Sequence, residues 1–130
     1  GMLVGCHNRA HEFNKVEDKV IYDFMLENTN PEYVFFEMDV YWAVMGHAAP
    51  VEYFKKYPGR FTMLHIKDYR ELGESGMVGF DAIFNNAGLA GMKDFIVEIE
   101  AFTKGDWKES MKACADYLLK SDFVKATYEE

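Results

Sequence analysis

The chain has 130 residues, 49% of them apolar and 16% aromatic, which is ample for one well-filled core and too apolar for a disordered segment. Its net charge of −8, with 14 scattered basic residues, argues against a nucleic-acid or anionic-membrane surface, since either demands a clustered cationic patch. A small molecule or a protein is the expected partner.

No apolar run approaches the roughly 20 residues of a membrane-spanning helix. No signal peptide is visible, so the cytoplasm is the default compartment, and Gly1 ahead of Met2 reads as a tag remnant. Cys6 and Cys114 lie far apart without CxxC or Cys/His spacing, which predicts free thiols rather than a disulfide or structural zinc.

In chain order, a strand is expected over residues 2–6, ending just before His7, and a helix over 16–27. The second strand, 33–40, carries Glu37 and Asp39 two residues apart within "EYVFFEMDVYW", on an otherwise apolar face. A helix follows at 50–57, then the turn "YPGR" and a third strand at 61–66. The glycine-rich "ELGESGMVG", 71–79, has neither GxGxxG nor GxxxxGK[ST] spacing and reads as a strand-to-helix loop. A third helix covers 80–90 and a fourth strand 95–99. The last helix, 107–120, opens on Asp106 with Glu109 three residues on, a capping-box spacing. It has an apolar stripe of Trp107, Met111, Cys114, Ala115 and Leu118. No linker or internal repeat divides the chain, so one domain is expected over 1–130.

Alternation of strand and helix predicts an α/β fold with a parallel sheet. The faces of the strands narrow this further. Val34, Phe36, Met38 and Val40 share one face, against Tyr33, Phe35, Glu37 and Asp39 on the other. Leu64 and Ile66 stand against Phe61, Met63, His65 and Lys67, and Phe95, Val97 and Ile99 against Ile96, Glu98 and Glu100. A face that turns from apolar to charged toward the carboxyl end suits a (β/α) barrel, whose inner face carries reactive groups at its mouth. A sheet covered by helices on both sides would be apolar on both.

Asp39, His65 and Glu98 then project from neighbouring strand ends into one space. Their mixed nitrogen and oxygen donors suit a divalent metal such as Mn²⁺, Mg²⁺, Co²⁺ or Zn²⁺, with His7 as a possible fourth contributor. Glu37 and Glu100 are expected to steady Lys67 or a ligand from behind.

Five blocks in this order, "HNRAHEF" (7–13), "FFEMDVYW" (35–42), "YPGRFTMLHIKD" (57–68), "GMVGFDAIF" (76–84) and "DFIVEIE" (94–100), carry a resemblance. Together they resemble the carboxyl-terminal half of the sugar phosphate isomerase/epimerase family, whose fold is the xylose isomerase-like TIM barrel. The resemblance implies a divalent metal held by Asp39, His65 and Glu98, and substrate contacts near His7, Asn8, Trp42 and Lys67. The chain departs from the pattern twice: Arg9 stands where relatives usually have the second His of HNHxxEF, and His7 where several epimerases have a metal-ligating Glu.

The implied reaction is proton transfer next to the carbonyl of a sugar or sugar phosphate through an enediolate. Glu98 would be the base, Lys67 the stabiliser of the oxyanion, and Trp42 an apolar platform for the sugar. Only the last four of eight strands are recognisable, which leaves two unpaired edges and predicts a homodimer that closes the ring. A non-catalytic half-barrel that dimerises and binds carbohydrate, and a keto-sugar lyase or dehydratase on the same fold, are the alternatives.

Overall fold

Residues 1–128 are described in the computed structural model. In chain order the elements are β1 (Val4–His7), a 3-10 turn (His11–Phe13), β2 (Lys15–Val16), β3 (Lys19–Val20) and α1 (Ile21–Glu27). There follow β4 (Val34–Asp39), α2 (Val40–Met45), α3 (Pro50–Lys56), β5 (Met63–Lys67), α4 (Phe80–Asn85), α5 (Ala87–Ala90), β6 (Asp94–Glu98) and α6 (Trp107–Lys120).

Strands β1, β4, β5 and β6 form one sheet in that order, every pair parallel. Parallel neighbours need a crossover between them, and the helices supply it. One face of the sheet is dry: Phe36, Met38, Leu64 and Ile66 are all fully buried. They belong to one core with Tyr22 and Leu26 of α1, Phe54 of α3, Phe80, Ile83 and Phe84 of α4, and Cys114 and Leu118 of α6. Aromatic edges tie it together, Tyr22 against Phe36 at 5.5 Å and Phe54 against Phe61 at 5.4 Å between ring centroids. The opposite face is more open: Ile96 is about half exposed, and Glu37 and Glu98 are partly open to solvent.

The capping prediction for α6 holds on one side, since the Asp106 side chain accepts from the Glu109 N–H. Several local expectations change, and Trp107, expected in the apolar stripe of α6, is exposed. The helix expected over 16–27 begins only at Ile21, because "KVEDKV" folds first into a hairpin. Glu17 and Asp18, both at positive φ (50° and 65°), form its two-residue turn. The second strand stops at Asp39 rather than Val40, and α2 starts there without a loop. Phe61 precedes β5 and turns into the core instead of onto the open face. The helix over 80–90 is broken at Asn86 into α4 and α5.

The "YPGR" turn packs hard against the end of α5. Gly59 donates its N–H to Leu89 at 3.0 Å, and a Cβ on Gly91 would lie 2.7 Å from the Gly59 Cα. Gly91 also sits at φ 81°, so both its conformation and its contact require glycine.

Candidate functional site

All four strands of the sheet point their carboxyl ends the same way, and each delivers one or two polar side chains to that end. The register sets their heights. His7 pairs with Glu37, Asp39 with His65, and Lys67 with Glu98, so Glu98 stands one step of the inward-facing ladder above Asp39 and His65.

Asp39 is both the end of β4 and the N-cap of α2. Its Oδ1 accepts the Trp42 N–H at 2.9 Å, while Oδ2 faces His7 Nε2 at 3.3 Å and His65 Nδ1 at 3.6 Å. The two imidazoles meet at 2.9 Å, His65 Nδ1 to His7 Nε2. One donor atom each from His7, Asp39 and His65 lies within 4.8 Å of the other two.

Glu98 occupies the other side of the His65 ring, its Oε2 2.9 Å from Nε2. An Nε2–H donated to Glu98 leaves the Nδ1 lone pair of His65 facing Asp39 and His7, the tautomer a metal requires. The expected grouping of Asp39, His65 and Glu98 is therefore redistributed. His7 joins the first two, and Glu98 backs the imidazole.

Burial is costly for the central carboxylate. Asp39 is fully buried, and that burial pushes its carboxyl above the ordinary value of 3.8, while the Trp42 N–H, His65 and His7 pull the other way without cancelling it. The energy lost in burying this charge is recoverable by a cation placed among the three donors. Two imidazole nitrogens and a carboxylate oxygen are the donor types that hold transition metals, and this set fits a divalent one.

Asn8, expected near the substrate, is instead fully buried. Its side chain accepts the Asp39 N–H at 2.9 Å and donates to the Asp39 carbonyl at 3.2 Å, and its oxygen also receives the Tyr22 hydroxyl at 3.4 Å. It positions Asp39, with both its polar atoms engaged inside the protein.

Lys67 is 1% exposed, its Nζ 3.3 Å from Glu100 and 3.8 Å from Glu98, and 5.5 Å from the centre of the Tyr41 ring. Contact with Glu98, then the Lys67 ammonium and the field of Arg9, hold the Glu100 carboxyl below its ordinary range against the effect of burial. The expectation that Glu100 restrains Lys67 matches this contact, whereas no bond links Glu37 to Lys67 among the described residues. Trp42 stands half-buried beside Tyr41, with the Arg9 guanidinium carbon 5.6 Å from the centre of its ring. Tyr41 and Tyr22 escaped sequence reasoning. For Tyr41 the signal was its place directly beside Trp42, after the capping Asp39.

A groove of about 900 Å³ beside Asn86, Leu89, Lys93 and Tyr128 contains none of these residues. The candidate site is an open mouth rather than an enclosed cavity. Among the described residues no helix is long and apolar enough to cross a membrane.

No protein-family model and no curated protein matches the chain. Solved structures do, among them two sugar phosphate isomerase/epimerases from Parabacteroides distasonis. One is 46% identical with a TM-score of 0.85 over 93% of this chain, the other 42% identical with a TM-score of 0.89 over 95%. In each case the chain spans only 46% of the matched protein, about half its length. The resemblance read from the sequence is thus found over nearly the whole chain, and the open four-stranded arc is half of a TIM barrel.

Proposed function

We propose that this chain provides the metal-binding half of a sugar or sugar-phosphate isomerase or epimerase. The convergence of His7, Asp39 and His65 at the mouth, with Glu98 behind His65, is the observation that carries the reading. His7, Asp39 and His65 would hold the divalent metal, Mn²⁺, Mg²⁺, Co²⁺ or Zn²⁺. When bound, such an ion supplies Lewis-acid polarisation of a substrate carbonyl, which favours proton loss from the adjacent carbon.

The chain's own groups divide the remaining work. Glu98 is the candidate base, partly exposed at the mouth, 2.9 Å from His65 and 3.8 Å from Lys67. Returning the proton to the same carbon gives epimerisation, and to its neighbour, isomerisation. Lys67, buried between Glu98 and Glu100, contributes a fixed positive charge against an oxyanion. The exposed face of Trp42 offers the sugar an apolar surface.

The proposal includes a second copy of the chain. Half a barrel leaves the edges of β1 and β6 unpaired, with Val4 60% and Ile96 49% exposed, and a two-fold copy would pair each β6 with the other β1. Native mass spectrometry of freshly purified protein tests both parts at once. The reading expects a dimer carrying divalent ions that are lost in Asp39→Ala, followed by product formation from candidate sugars observed by NMR. A metal-free protein would shift the assignment to a carbohydrate-binding half-barrel without catalysis, and loss of water or carbon–carbon cleavage among the products would make it a lyase or dehydratase.

A further inference from the structure

The mouth described above is rich in carboxylates, with Glu37, Asp39, Glu98 and Glu100 all at or near the strand ends. An anionic sugar would be repelled there unless a cation remained free to receive it. Lys67 is already shared between two carboxylates and is assigned to the reacting oxygen. Arg9 is different. It is exposed two residues beyond His7, and among the described residues its guanidinium forms no ion pair.

Its position is nonetheless held. The Arg9 N–H donates to Glu12 Oε2 at 2.7 Å, and its guanidinium lies over Trp42, the residue whose N–H donates to the capping Asp39 carboxylate. A guanidinium resting on an indole keeps its edge donors available, and those donors match the paired oxygens of a phosphate or carboxylate. Stacking also reduces the side-chain freedom that binding would otherwise remove.

We infer that Arg9, seated on Trp42, is a specificity residue that receives the anionic group of the substrate, a phosphate ester or a sugar carboxylate. This rests on the proposed sugar site and names the class of sugar it takes. A guanidinium without an ion pair, held over the indole that follows Asp39, suits an anionic group better than a neutral hydroxyl. The alternative role for Arg9 is only to balance the charge of Glu100, whose carboxyl feels its field.

The test uses metal-free protein in a chelating buffer, titrated with inorganic phosphate and, separately, with acetate, and followed by amide NMR shifts. Binding to phosphate or acetate should saturate, weaken about tenfold or more in Arg9→Ala and be partly retained in Arg9→Lys. It should be unchanged in Arg70→Ala, which removes another exposed arginine resting on an aromatic ring, that of Tyr69. Tighter phosphate binding assigns a phosphate ester, and tighter acetate binding a sugar acid. Absence of saturation with either anion, or binding that Arg9→Ala leaves unaltered, overturns the inference. Because no metal or turnover enters the measurement, its failure is separate from a failure of Asp39-dependent metal uptake.

Discussion

Asn8 and Asp39 are joined by a reciprocal pair of hydrogen bonds, the Asn8 amide accepting the Asp39 N–H and donating to the Asp39 carbonyl. The bonds run between neighbouring strand ends and fix the backbone from which the central carboxylate projects. Asn8→Ala should therefore act on stability and metal affinity rather than on substrate affinity alone. Two buried backbone groups would lose their partners, a cost of about 2–4 kcal/mol that urea unfolding would register. Unchanged stability with only a raised KM would instead return Asn8 to the role of a sugar contact.

Glu98 and Asp39 should respond differently to substitution. Asp39→Ala removes a donor and should abolish stoichiometric metal binding. Glu98→Gln keeps a side chain beside His65 Nε2 but removes its charge, and should leave metal binding measurable, weakened about 10–100-fold. Competition with a fluorescent chelator would measure both. Complete loss in Glu98→Gln would mean that Glu98 coordinates directly, as the sequence suggests.

Glu71 provides a pH-dependent test away from the site. It is almost completely buried, and its carboxylate receives the Ser110 hydroxyl, the Thr103 N–H and hydroxyl, and the Lys104 N–H, which clamps the loop after β5 to the loop before α6. Burial alone would raise its pKa, but the bonds from Ser110 and Thr103 prevail and hold the carboxyl well below its ordinary 4.5. A pKa lower in the folded than in the unfolded chain means stability that is present above about pH 4.5 and fades as pH falls toward the folded value. Glu71→Gln should lower Tm at pH 7, and the gap to the parent protein should narrow in acid. A gap independent of pH would show that the charge of Glu71 contributes nothing.

Ile96 tests closure by a second copy. It faces the open side of β6 and is about half exposed. Ile96→Lys should leave the monomer folded, because the buried core lies on the other face, and should shift a dimer toward monomer. Sedimentation velocity across a range of concentrations would show this, and a dimer of undiminished strength would place the interface elsewhere.

Much of the fold was legible because period-two patterning is a local property of the chain. Phe36, Met38, Leu64 and Ile66 recur at every second position, with Glu37, Asp39, His65 and Lys67 on the alternate ones, and that alternation already names the buried face. The hairpin at residues 15–20 was less visible because its strands are two residues long, too short to establish a period. Phe61 was misassigned because the strand begins two residues later than its apolar run.

The sequence by itself determined that strands and helices alternate, that one sheet face is dry, and that Asp39, His65, Lys67 and Glu98 occupy strand ends. Each of these depends on residue type and spacing within a single segment. Tertiary structure alone decided how the segments stand beside one another. The parallel register sets Asp39 level with His65 and Glu98 one step higher, and so hands the near side of the imidazole to His7 and the far side to Glu98. It also turns Asn8 inward, since the polar groups within its reach belong to the Asp39 backbone and to Tyr22, 31 and 14 residues away along the chain. Contacts over such separations are set by packing of the whole core, which no local pattern encodes.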